Sequence, residues 1–87
     1  MRIWFKQWKD SRMVRDLVIE DNSDETRTHK VFGALDQACY DMDLGRPLWL
    51  DVTVRDFKRQ AKARFNKDCF MEEVPFDYLE IDVLEED

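Results

Sequence analysis

The stretch Leu79-Glu80-Ile81-Asp82-Val83 constrains the fold more than any other in the chain. Its apolar residues alternate with its acidic ones, and this period of two belongs to a β-strand buried on one face only. Such a strand needs neighbours for its backbone and a second layer for its apolar side. The pattern predicts a strand over residues 76–84, with Phe76 and Tyr78 on the acidic face. Two candidate neighbours open the chain. RIWFKQWK (2–9) and MVRDLVIE (13–20) are rich in β-branched and aromatic residues, and the DSR between them suits a tight turn, so they read as a β-hairpin. Ile3 and Phe5 oppose Trp4, Lys6 and Trp8, while Met13, Arg15, Leu17 and Ile19 oppose Val14, Asp16, Val18 and Glu20. Neither strand alternates cleanly, as expected of a sheet partly covered on both faces.

The second layer is helical. Val31, Leu35, Ala38 and Met42 recur at helical spacing after the polar EDNSDETRTHK. Asn22 or Ser23 serves as N-cap, Asp24 and Glu25 suit the first turn, and Gly45 and Pro47 end the run, which predicts a helix over 24–43. A second helix over 52–65, capped by Asp51 or Thr53, follows from Val54, Phe57, Ala61 and Phe65 on one face. Arg55, Lys58, Arg59 and Lys62 line its other side. The element order is ββααβ: an α+β fold with a three-stranded antiparallel or mixed sheet and two helices packed on one face.

Composition fits one domain over residues 1–87 with a packed core. Hydrophobic residues make up 44% and aromatics 13%, and only two Gly and two Pro leave little material for long loops. The net charge of −6 disfavours non-specific adhesion to nucleic acid or anionic membrane. The first ten residues are interrupted by Lys6 and Lys9, unlike an export signal, and no apolar run has the length of a membrane span. A cytoplasmic protein is expected, with Cys39 and Cys69 as two free thiols packed like small hydrophobes.

Charge is distributed unevenly. VRDFKRQAKARFNK (54–67) holds six Lys or Arg against one Asp, and the twenty residues after it hold nine Asp or Glu and no Lys or Arg. Arg55, Lys58, Arg59 and Lys62 therefore form a candidate anion site for a nucleic-acid accessory protein. The alternative is a solvated helix face balanced by the acidic strand, and no helix-turn-helix, RNA-recognition or zinc-finger signature accompanies the patch. A second candidate is aromatic: Trp4 and Trp8, joined by Phe76 and Tyr78, would give the open sheet face four rings, a surface for a protein partner or for self-association. Its alternative has these rings covered by the RPLWL loop (46–50) or wrapped around the sheet edge.

Catalytic and metal patterns are weak. DMDLG (41–45) resembles the start of a calcium loop, but Arg46 and Val52 replace the Gly and Glu such a loop requires, and a helix terminus is the simpler reading. His29 and Cys39 lie ten residues apart on one helix, about 15 Å along its axis. Two isolated glycines, Gly33 and Gly45, give no phosphate loop, and no cofactor or metal is expected. Gly33 falls inside the first helix, where a close neighbour would justify it.

DETRTHKVFGALDQACYDMDLGRPLWL, FKRQAKARF and FDYLEIDVLEED, taken together, resemble a set of small conserved proteins of Firmicute-type bacteria that carry no assigned function. The resemblance spans nearly the whole chain. It implies a cytosolic bacterial protein and carries over no site residues. The function expected is a non-enzymatic interaction or self-association module, with a nucleic-acid accessory protein and a thiol enzyme as alternatives.

Overall fold

Asp10 and Ser11 both take positive φ, 51° and 63°, and turn the chain back on itself between β1 (Arg2–Lys9) and β2 (Arg12–Glu20). Two left-handed residues in succession match the twist of the paired strands. The computed structural model describes all 87 residues. After the hairpin come α1 (Arg27–Asp41), α2 (Asp51–Gln60), β3 (Lys62–Asn66), a single 3₁₀ turn (Lys67–Cys69) and β4 (Tyr78–Glu85). The sheet has four strands in the order β2-β1-β4-β3, every neighbour antiparallel.

The fourth strand corrects the expected three. Ala61 stands in the left-handed region (φ 55°), stops α2 after Gln60 and sends the chain into β3. There Ala63 and Phe65 point into the core while Lys62, Arg64 and Asn66 point out. Phe57, Ala61 and Phe65 also fit helical spacing, so two periods overlap in one run, and pairing with β4 decides between them.

α1 is shorter than expected. Its N-cap is Thr26, whose hydroxyl accepts from the His29 N–H at 3.2 Å; Asp21 and Ser23 are spent on turns of their own. At the other end Asp43 (φ 56°), and not Gly45, takes the left-handed position. Leu44 N–H donates to Cys39 O at 2.8 Å and Asp43 N–H to Tyr40 O at 3.2 Å, a Schellman closure. Arg15 adds its guanidinium, 3.0 Å from Asp41 O, where cations suit the helix dipole.

One core joins the layers. Ile3, Phe5, Phe65, Leu79 and Ile81 on the sheet meet Val31, Ala34, Leu35 and Ala38 of α1 and Phe57 of α2. Both helices therefore cover the same face, and the other face has no layer of its own. No helix is long and apolar enough to cross a membrane.

Candidate functional site

Strand register determines what the uncovered face presents. Trp4 lies between Val18 and Asp82, Lys6 between Asp16 and Glu80, and Trp8 between Met13 and Tyr78. β3 adds Lys62 beside Asp82 and Arg64 beside Glu80. Aromatic and charged side chains thus interleave, and each ring is tied to a charge. The Trp4 indole N–H donates to Asp16 Oδ2 at 2.8 Å, and the Lys6 ammonium lies 4.0 Å from the Trp4 ring centre. The Trp8 N–H donates to Glu80 Oε1 at 3.2 Å, its ring stacks on Tyr78 at 6.3 Å, and the Arg64 guanidinium covers Tyr78 at 4.5 Å.

Beneath these rings sits an ion pair. Lys6 Nζ is 2.9 Å from Glu80 Oε1 and 3.3 Å from Asp82 Oδ2, and Lys6 and Glu80 are only 6% and 5% exposed. Lys62 approaches the other Glu80 oxygen at 3.5 Å. Burial disfavours both charges, but each outweighs that cost for the other: with Asp82, Glu80 raises the Lys6 pKa above its ordinary value, and Lys6, Trp8 and Lys62 hold the Glu80 pKa below its own. The face is a fixed mosaic of half-buried rings over a neutralised pair.

Phe76 does not belong to this face. It is buried in the core, its ring 5.5 Å from Phe70, because β4 begins only at Tyr78 and strand parity has no force before it. RPLWL does not cover the open face either. It lies on the helical side, where Trp49 stands edge-on to Phe57, Phe65 and Phe32 at 5.5, 4.8 and 6.0 Å.

The expected four-cation site is divided between the two sides. Lys62 lies on β3 and pairs with Glu80 on the sheet face. Arg55, Lys58 and Arg59 remain on α2, exposed and in no ion pair. The acidic C-terminal residues do not reach them. Glu86 binds Arg27, and Asp87 binds Lys30 and the Met1 ammonium.

The thiols and the histidine are apart in role. Cys39 and Cys69 are both free and buried, and burial pushes the Cys39 thiol up to about 11 and raises that of Cys69 as well. Thiolate is scarce at neutral pH under those conditions. His29 is exposed and lies 3.0 Å from the carboxylate of Glu25, which precedes the α1 N-cap. No three His, Cys, Asp or Glu side chains converge as a metal site requires.

Sequence reasoning missed a groove on the helical side. α1 and α2 make little direct contact, and Trp49 fills only the bottom of the gap between them. Val31, Phe32, Val54 and Phe57 form apolar walls around about 240 Å³; Arg27 and Lys58 join the lining, the Arg27 guanidinium 5.2 Å from the Phe57 ring centre. The Trp49 indole N–H is buried without an acceptor. A lone Trp in a short apolar loop was the available signal, but nothing in its spacing tells which layer it joins.

No family model matches the chain, and no match was found among curated proteins or solved structures.

Proposed function

We propose that the chain is a non-enzymatic, cytoplasmic interaction module that binds a protein partner or a second copy of itself through the uncovered sheet face. The observation that supports this reading is the fixed arrangement of Trp4, Trp8 and Tyr78 on that face, each held by a hydrogen bond or a cation. Rings already immobilised lose little entropy on binding, and half-exposed aromatic and Arg side chains dominate interface energetics. The neutralised Lys6–Glu80 pair beneath them adds shape without a large net field. The buried thiols of raised pKa weigh against thiol chemistry.

Mass in solution by light scattering, at low and high salt, tests self-association. A species above the 10.6 kDa of one chain that survives high salt and is lost in a folded Trp4→Ser/Tyr78→Ser variant supports the reading. If wild type is monomeric, the same pair is compared in affinity capture. Equal capture by both proteins would remove the sheet face from the account.

A second reading, nucleic-acid binding through α2, draws on the unpaired Arg55, Lys58 and Arg59. Three phosphate contacts would give binding that falls steeply with salt, working against a chain of net charge −6. Lys62 is held at Glu80 on the other side and does not extend that site.

A further inference from the structure

We propose that the groove between α1 and α2 is a peptide site, and that it takes an acidic segment of a partner protein carrying one large apolar anchor side chain. This inference is independent of the sheet-face reading, since the groove lies in the helical layer on the opposite side.

Size favours a single anchor. About 240 Å³ exceeds the roughly 150 Å³ cavity that holds a benzene ring, and falls short of the roughly 300–1,000 Å³ of typical small-molecule pockets. One Phe- or Leu-sized side chain matches it. The walls are apolar, and Phe32, one of them, is 45% exposed, so the apolar lining reaches the surface.

Charge specifies what flanks the anchor. A second concavity adjoins the groove and shares Val54 and Lys58 with it; Arg55, Arg59 and Asp51 complete its lining. Three cations against one carboxylate leave it positive, and none of the three cations is paired within the molecule. Arg27, on the α1 side, is already held by Glu86, so only the α2 side calls for an anion. The complementary ligand therefore has an apolar side chain in the groove and one or two carboxylates beside it over α2. A short acidic peptide meets this demand. A long polyanion meets it poorly, because beyond α2 it faces a molecule of net charge −6.

The test uses the full chain, labelled with ¹⁵N, and three decapeptides: two Glu beside a central Phe, the same with Ala in place of Phe, and the same with Gln in place of Glu. The Trp49 indole N–H, assigned by Trp→Phe substitution, reports on the groove. The Phe–Glu peptide is expected to shift that signal and the amides of residues 54–58, and to bind at least tenfold more tightly than either control. Arg55→Glu/Lys58→Glu, on an exposed helix face, is expected to weaken it tenfold or more. Phe32→Ala weakens it while keeping the salt dependence, and Trp4→Ala on the sheet face leaves it unchanged. Equal binding of the Ala and Phe peptides would reduce the site to bulk electrostatics and overturn the proposal. So would a shift pattern confined to the sheet face, or displacement of the peptide by a single-stranded oligonucleotide at equal concentration.

Discussion

At the scale of single residues, the Lys6–Glu80 pair decides how the uncovered face behaves. Removing one member of a buried pair leaves the other charged and badly solvated. Lys6→Met is expected to cost about 3 kcal/mol in urea unfolding, the low end for breaking a buried pair, because Lys62 and the Trp8 N–H still serve the Glu80 carboxylate. Lys6→Met/Glu80→Leu is expected to recover most of that loss. The same pair sets a pH dependence. The pKa of Glu80 is held below its ordinary 4.5: burial pushes it up, but Lys6, Trp8 and Lys62 overcome this. Glu86 is held low by Arg27, Asp87 by Lys30 and the Met1 ammonium, and Asp21 by Ser23. The unfolded chain therefore binds protons at higher pH than the native one, and stability is present above the ordinary carboxylate values and lost as pH falls through the lowered ones. Thermal midpoints should hold steady above about pH 5 and drop below about pH 4.5, more shallowly in Lys6→Met/Glu80→Leu.

At the scale of elements, helix ends and glycines explain what was legible in the sequence. A Cβ on Gly33 would meet nothing within 4 Å, so no neighbour requires the glycine, contrary to the expectation of a close approach. Gly33→Ala is expected to stabilise α1 by about 1 kcal/mol, read as a raised urea midpoint with unchanged slope. Ala61 bears the left-handed bend between α2 and β3. Ala61→Gly relieves a conformation that costs an L-residue about 1–2 kcal/mol, offset in part by the freer unfolded chain, and should gain roughly 0.5–1 kcal/mol. These positions also show why β3 was hidden. The stop after α2 carries neither Gly nor Pro, and Phe57, Ala61 and Phe65 satisfy helical spacing across it. The hairpin, both helices and the last strand were legible because each carries an uninterrupted period or a turn. Trp4, Trp8 and Tyr78 sharing a face was legible too, since they lie within or at the start of regular strands. Phe76 precedes its strand, and parity counted through the irregular residues before Tyr78 misplaces it.

At the scale of the whole molecule, the two charge blocks neutralise each other only in part, through Lys62–Glu80 and Lys67–Asp77. Acidic β4 is answered from β1 and β3, by Lys6 and Lys62, while α2 keeps its three cations facing outward. A protein that is acidic overall thus has one basic side, a local polarity that composition alone conceals. The sheet depends on its central strands. β1 and β3 are joined only through β4, which also supplies Leu79 and Ile81 to the core. A fragment of residues 1–75 is accordingly expected to lack the dispersed amide spectrum of a folded protein, although its β1–β2 hairpin is local in sequence. Order of synthesis then matters. The strand that sits between β1 and β3 is the last of the four to leave the ribosome, so the nascent chain carries an open seam, flanked by Phe5 and Phe65, until residues 78–85 emerge to close it.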